Sequence, residues 1–463
     1  MYQSEYRCCH SENSARLTST LYPANSDLKT PTDQFTNRYL IEVSEYALTV
    51  DQNDRSIIGF VMVGHAMVHT YELSIPILMT VWLLEFSANT AVLGVAVAIG
   101  YGLFGIGALP GGILVDRFGS QTLITACLAG MGVAFLSLSL VPGIVGITIA
   151  LAVWGAAASV YHPAGLALIS NGVKDRGRGF AFHGMAGNTG IAGGPLVTAL
   201  LLVLFDWRLV TVLLAGPALL VALVGRTRQF NPVAAVNTSD GSQQQQPPSS
   251  LSSFATETRR LFTVGFLLIF VIVGFNGLYY RGMLTFLPDL LGDFLIEAVG
   301  DVRPGIFAPD SPMAAEFDLS QYLYVGLLTV GIGGQYVGGY LTERIDVERG
   351  VGVVLAMLTL IALLFVPAAS IGLWGLLLVS FALGGALFAI QPLTQATIAK
   401  YSLPESRGLS FGYTYLAIFG VGALGAAITG AILTYSTPTV LFGFLALLGV
   451  AAAVISLYVY RAG

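Results

Sequence analysis

Twelve long apolar stretches, separated by short polar breaks, occupy the chain from residue 56 to residue 460. They fall at about 56–84, 90–114, 120–141, 144–170, 179–204, 208–225, 263–288, 321–341, 351–368, 372–398, 408–434 and 438–460. Crossing the hydrocarbon core of a bilayer takes about 20 apolar residues in helical form, so the pattern predicts about twelve membrane-spanning helices. The polar segments divide the chain into a tail at 1–55, a six-helix bundle at 56–225, a linker at 226–262 and a second six-helix bundle at 263–463. The middle of the linker, 231–253, is rich in Ser, Gln and Pro and lacks helical periodicity, which predicts a flexible connection.

Composition agrees with this pattern. Apolar residues make up 55% of the chain and charged residues 10%, against roughly a quarter charged in soluble proteins. Mean hydropathy is +0.76, and 55 glycines supply the small residues that let helices approach closely in lipid. Cys8, Cys9 and Cys127 give no disulfide framework. The polar tail has no charged-then-apolar pattern, so no cleavable signal peptide is expected.

The distribution of positive charge predicts the orientation. With the N-terminus in the cytoplasm, 18 of the 21 Lys and Arg residues fall on the cytoplasmic side, leaving Arg208, Arg281 and Arg303. The opposite orientation would invert that bias, so both termini are expected in the cytoplasm. On the same reading, residues 289–318 form an external loop with seven acids (Asp289, Asp293, Glu297, Asp301, Asp310, Glu316 and Asp318) and one base, Arg303. It is a solvated acidic face or an attractor of cations.

The two bundles repeat one another. Gly112, Leu114, Asp116 and Arg117 match Gly339, Leu341, Glu343 and Arg344 at an offset of 227. Gly155, Pro163, Arg178, Gly179 and Phe182 match Gly384, Pro392, Arg407, Gly408 and Phe411 at an offset of 229, and His162 meets Gln391 in that register. In the first and seventh spans, Pro76 pairs with Pro288 at an offset of 212. The predicted fold class is therefore an all-α polytopic membrane protein of two pseudo-symmetric six-helix bundles. Duplicated bundles are how transporters build alternating access around a midplane site.

Candidate chemistry concentrates in the first span. His65, His69, Glu72 and Pro76 sit at i, i+4, i+7 and i+11, one face of a helix. Glu72 is the only carboxylate well inside a predicted span, and an ionised carboxylate there needs a partner or a polar cavity. The Glu-His stripe is a candidate proton relay; the alternative is a hydrogen-bonded packing network. Arg281 sits seven residues before Pro288, as His69 sits seven before Pro76. It could pair with Glu72, bind an anionic substrate group, or snorkel toward the external face. Asn276, Tyr280, Gln391, Gln395 and Asn188 are candidate cavity-lining polar groups. His162 and His183 lie in the inner halves of the fourth and fifth spans, where they could meet, or His162 could cap a kink at Pro163.

The segment GGILVDRFGS at 111–120, with its second copy GGYLTERID, resembles the signature loop of the major facilitator superfamily. The resemblance spans about residues 56–460 and implies a gate-stabilising, conformational-switch role for Gly112, Asp116 and Arg117. In the second copy Glu343 and Arg344 hold the equivalent positions, without the glycine two residues after the arginine. The segments GHAMVHTYELSIPIL, VYHPAG and RGRGFAFHGMAGNTGIAGGP look like the fosmidomycin-resistance type of efflux permease within that superfamily. This type implies export of small organic compounds in exchange for protons. His69 stands where that type usually carries a carboxylate or amide. Gly190, Gly194 and Pro195 match part of an antiporter signature, with Thr198 and Ala199 in place of its further glycine pair. Close helix packing explains these glycines equally well.

Together these features predict a secondary active transporter that moves a small organic solute by proton-coupled efflux. Alternatives are a proton-coupled importer of an organic anion, or a non-transporting membrane sensor on the same fold. The expected partners are the lipid bilayer, a small-molecule substrate and protons; the expected form is a monomer in the cell membrane. The chain carries no metal-ligand spacing, phosphate loop or nucleophile motif, so no cofactor, metal, nucleic acid or enzymatic activity is expected.

Overall fold

The first helix, α1, runs Gln52–Glu85 and ends at a short turn where Asn89 caps the next, its side chain accepting from the Val92 amide. In this computed structural model residues 51–236, 251–300, 318–402 and 407–462 are described. The tail to residue 50, the Gln-rich part of the linker and loop residues 301–317 lie outside them. Two helices, α2 (Thr90–Ile106) and α3 (Ala108–Phe118), form the second span with a 49° bend at Gly107. Pro110 explains the bend: it has no amide hydrogen for the Ile106 carbonyl and its ring crowds that carbonyl. The first half continues with α4 (Ser120–Leu138), α5 (Ile144–Ala158), α6 (Tyr161–Gly172), α7 (Arg176–Leu204) and α8 (Trp207–Thr227).

A short helix, α9 (Leu251–Leu261), precedes the second half. The expectation of an unstructured linker through residue 253 is thus corrected at its C-terminal end, where the chain turns helical past the Pro247-Pro248 pair. Thr263 caps α10 (Val264–Val299), accepting from the Phe266 amide. The sequence ends this span at Pro288, but the helix continues for eleven more residues. Leu290, Leu291, Phe294 and Leu295 bury an apolar face there, so Asp289, Asp293 and Glu297 lie on a helix and not in a loop. The remaining helices are α11 (Leu319–Thr342), α12 (Val347–Ser370), α13 (Leu373–Tyr401), α14 (Arg407–Tyr415), α15 (Leu424–Tyr435) and α16 (Pro438–Ala462). A π-helical segment, Leu416–Val421, joins α14 to α15 where the sequence predicts one continuous span.

Among the described residues ten helical stretches are long and apolar enough to cross a membrane, with Ile144–Gly172 and Leu409–Tyr435 each taken as one, or eleven when α2 and α3 also count as one span. The remaining long helix, α11, falls short in apolarity because it carries Gln321, Gln335, four tyrosines and glycines. Outward faces expose Val145, Ile149, Leu220, Leu223, Leu360, Leu363, Leu378 and Leu447, an apolar surface that fits lipid and not water. Exposed Trp374, Tyr435 and Tyr458 lie near helix ends, where aromatic rings sit at the headgroup level.

Each half has its own apolar core, one built mainly from residues of α1 to α8 and the other mainly from α10 to α16. The repeat is visible in the packing. A Cβ on Gly155 would lie 1.9 Å from the Gly100 carbonyl oxygen, and one on Gly384 would lie 2.2 Å from the Leu327 carbonyl oxygen. Leu327 is Gly100 plus 227 and Gly384 is Gly155 plus 229, so the same helix crossing occurs in both halves. The halves join along two outer seams. In one, α2 packs on the π segment and α15; in the other, α7 packs on α11. Between the seams α1 faces α10.

Candidate functional site

The polar face of α1 points between the halves because its neighbour α7 is nearly flat. A Cβ on Gly190 would lie 2.2 Å from the Ala66 carbonyl oxygen, so the two backbones touch there. Gly187 makes room for the His65 ring: a Cβ on it would sit 2.5 Å from His65 Cε1. The antiporter-like glycines on α7 therefore act as a close-packing face. His65 Nδ1 lies 2.7 Å from the His183 carbonyl oxygen, and the two imidazoles stack with centroids 3.8 Å apart. Tyr161 lies nearly parallel beside both rings, 5.6 Å from His65 and 6.0 Å from His183, and its hydroxyl donates to the Val61 carbonyl.

One turn further along α1, His69 Nδ1 lies 2.5 Å from Glu72 Oε2 and His69 Nε2 lies 3.0 Å from His65 Nε2. The Arg281 guanidinium, from α10, donates to the other oxygen of Glu72. Glu72 and Arg281 are 1% and 2% exposed, so this is a fully buried ion pair between the two halves. Arg281 also lies over the Tyr101 ring at 3.8 Å, with Phe419 at 5.1 Å and Tyr280 at 5.4 Å. Tyr101 donates its hydroxyl to the Glu72 carbonyl at 3.0 Å. Arg281 thus pairs with Glu72; it neither snorkels nor stands free.

Proton accounting constrains the two α1 histidines. A backbone carbonyl only accepts, so His65 Nδ1 carries a hydrogen. Glu72, ionised by Arg281, accepts from His69 Nδ1 in the same way. The two Nε2 atoms then face one another across 3.0 Å, a separation that one shared hydrogen bridges. His162, from α6, comes edge-on to His65 at 5.4 Å and to His69 at 5.7 Å, and packs on Tyr415 and Phe419 of the other half. One ring nitrogen each of His65, His69 and His162 lie within 4.8 Å of one another. His183 Nε2 is buried without a hydrogen-bond partner. All four described histidines thus share one cluster. His162 and His183 meet through His65, and His162 belongs to the cluster and is not merely a cap at Pro163.

The cluster lines the closed end of a cavity of about 920 Å³. Asn188 continues the first-half wall; Asn276, Tyr280, Gln391 and Gln395 form the opposite one. Gln335 Nε2 donates to Gln391 Oε1 at 3.3 Å, while Asn276 Oδ1 and Gln335 Oε1 are buried without partners. The lining extends to exposed Gly112, Ile113 and Asp116 on α3 and to Glu257 on α9, so the cavity reaches solvent at that end. The other end is shut: Thr434 Oγ1 accepts from the Ala91 amide at 2.9 Å and bonds Thr90 Oγ1 at 2.8 Å, and Gln321 donates to Thr80 at 3.3 Å.

The signature-loop residues sit apart from the cluster. Gly112 and Asp116 border the mouth, whereas Arg117 lies over Phe118 at 5.2 Å and Arg344 over Tyr340 at 4.3 Å. Glu343 is the C-terminal cap residue of α11. Asp116 and Arg117 are both exposed and form no ion pair with each other among the described residues. Sequence reasoning missed Tyr101 and Gln335. Tyr101 is a hydrogen-bonding side chain inside the otherwise apolar, glycine-rich α2, which was the available signal, whereas Gln335 sits on α11 among other polar residues and tyrosines.

Comparison with solved structures places this architecture. A bacterial homolog of the human lysosomal transporter Spinster, in an inward-facing and unoccupied conformation, superposes with a TM-score of 0.65 at 15% identity, covering 88% of this chain and 96% of that one. The nucleoside transporter NupG gives 0.66 at 14% identity, covering 88% and 100%. A peptide transporter, POT, in complex with alafosfalin gives 0.63 at 14% identity, covering 87% and 93%. No curated protein matches the chain significantly. The sequence profile of the Major Facilitator Superfamily matches residues 57–300 and 304–462. With nearly all of the helical region matched in both halves, the chain is a member of the Major Facilitator Superfamily.

Proposed function

We propose that the protein is a secondary active transporter that exports a small organic solute across the cell membrane in exchange for protons. One observation carries this reading: the Glu72–Arg281 ion pair is buried between the halves at the closed end of a cavity open at the other. Alternating access requires the halves to rock apart at the shut end. An unscreened pair in low dielectric resists that separation, and breaking it by removing one partner costs about 3–5 kcal/mol. A proton delivered to Glu72 through His69 neutralises the carboxylate, frees the guanidinium and ties the movement to proton entry.

The positive-inside bias assigns the open mouth, which carries Asp116 and Arg117, to the cytoplasm, with both termini on that side. A monomer contains the whole cavity. Among the described residues no Lys or Arg lines it, whereas Glu72, Asp116 and Glu257 do. This lining favours a neutral or cationic solute with an apolar body over an organic anion. Arg281 as an anion clamp is disfavoured because its guanidinium already pairs with Glu72 and Arg281 is not among the residues lining the cavity. A relationship to the fosmidomycin-resistance type of permease fits the histidines of α1 and α6.

The test is a reconstitution into liposomes enclosing a pH-sensitive dye, with imposed gradients of amphipathic drugs and organic cations. The wild-type protein gives a substrate-dependent pH change of the sign of antiport. Glu72→Gln, folded and inserted, gives none. Undiminished coupled transport by that variant between pH 6 and 8 refutes the relay.

A further inference from the structure

The imidazole cluster has a feature that proton passage does not use. A proton shared between His65 and His69 needs two nitrogens, yet His162 offers a third from a different helix, within 4.8 Å of both. We propose that His65, His69 and His162 form a binding site for a divalent transition-metal ion of the Zn²⁺ class at the closed end of the cavity. The inference does not rest on the direction or coupling of transport, although the ion takes the His65 and His69 nitrogens past which the proposed proton path runs.

Three arguments converge. The first is ligand spacing. Tetrahedral Zn²⁺ with Zn–N bonds of about 2.0–2.1 Å sets its nitrogens about 3.3 Å apart. His65 and His69 Nε2 are already 3.0 Å apart, and since the three ligand nitrogens lie within 4.8 Å of one another, none has more than about 1.5 Å to close. The second is the outer shell. A metal-bound imidazole almost always donates its other N–H to a carboxylate or a backbone carbonyl, which fixes the tautomer and aims the lone pair. Here His69 Nδ1 faces Glu72 and His65 Nδ1 faces the His183 carbonyl, so both Nε2 lone pairs become available to the ion once it displaces the shared proton. The third is an orphan. His183 Nε2, on a side chain 6% exposed, has no hydrogen-bond partner beside the three.

The site's walls make it selective. Stacking of His65 on His183, with Tyr161 nearly parallel to both, and the tilted contact of His162 with Tyr415 hold the rings in place. Imidazole donors suit Zn²⁺, Co²⁺, Ni²⁺ and Cu²⁺ and disfavour Mg²⁺ and Ca²⁺, which take oxygen ligands. All three histidines border the cavity, so the fourth coordination position faces its interior and is open to water or to a donor atom of the solute. A solute with an amine group fits as the ion's fourth ligand, with the buried amide oxygens of Asn276 and Gln335 also lining the cavity.

Equilibrium titration of Zn²⁺ into the purified full-length chain tests this, using an affinity tag without histidines. The variant Cys8→Ser, Cys9→Ser, His10→Ala serves as background, so that the tail contributes no ligands. The expected result is one ion per chain, with a tetrahedral d–d absorption band when Co²⁺ replaces Zn²⁺. His162→Gln is expected to weaken binding at least tenfold, by the measure of lost ligand support. Its elution profile and metal-free melting temperature should match the parent, because His162 makes ring contacts only. Mg²⁺ should not compete. Zn²⁺ binding of equal strength in the parent background and in His162→Gln overturns the proposal, as does absence of stoichiometric binding by the parent. Neither result bears on the Glu72→Gln transport assay, so the two readings fail separately.

Discussion

At the scale of single residues, the molecule is organised around one buried charge and its complement. Glu72 has both oxygens engaged, one by Arg281 and one by His69, and its peptide carbonyl is held by Tyr101. Removing only one member leaves an uncompensated buried charge. Arg281→Met should therefore destabilise the detergent-solubilised protein by about 3–5 kcal/mol in chemical or thermal denaturation. Adding Glu72→Gln to that variant should restore most of the loss while transport stays absent. Equal destabilisation of the single and double variants would show that the loss arises from the ring contacts of Arg281 and not from its pairing with Glu72. Gly187 offers a second residue-scale check. Its Cβ would meet His65 at 2.5 Å, so Gly187→Ala must push the imidazole off its place between α1 and α7. We expect a loss of about 1–3 kcal/mol, as for other overpacked sites, read as a lowered melting temperature.

At the scale of elements, the seams between halves set which end of the cavity is shut. The α2–α15 seam combines backbone contact with a hydrogen-bonded clamp: a Cβ on Gly430 would lie 2.2 Å from the Thr90 carbonyl oxygen, and Thr90 Oγ1 donates to the Gly430 carbonyl at 2.9 Å. Thr434 adds the bonds to Thr90 and to the Ala91 amide. Thr434→Val removes those bonds while nearly keeping the volume, and should loosen this end without disturbing the cores. Spin labels at exposed positions Leu84 and Tyr435, on opposite sides of the seam, should then show a distance distribution shifted to longer values. An unchanged distribution would mean that backbone packing alone closes the seam. The π-helical segment Leu416–Val421 matters at this scale too. Its extra residue per turn breaks the regular helix where Phe419 reaches Arg281 and His162, a placement that a continuous α-helix through Gly420 and Gly422 would alter.

At the scale of the whole molecule, one cavity with one mouth makes a topological prediction. Asn188 and Gln395 lie on opposite walls and in opposite halves. Cysteines placed at either position should react with a membrane-impermeant maleimide from the cytoplasmic face faster than from the outer face. The reverse preference would overturn the proposed orientation. Substrate in the cavity should slow both reactions, since a cavity of about 920 Å³ fills with one organic molecule.

The spans, the two halves and the polar stripe of α1 follow from the sequence alone, because each depends on periodicity within a few turns or on matching motifs. His65, His69 and Glu72 share a helix face whatever surrounds them. The bend at Gly107, the extension of α10 beyond Pro288 and the helix α9 were not legible to the same degree, since each depends on which neighbours bury the segment. The central site was decided by tertiary structure. Glu72 and Arg281 are 209 positions apart, and the repeat places Arg281 opposite His69 without saying which acid it meets. His162 carried a spacing signal only toward Gln391; its approach to His65 and His69 exists because α6 crosses α1 beside a glycine-faced α7. Local pattern sets which face of a helix is polar, but only the packing of helices against one another determines which polar faces meet.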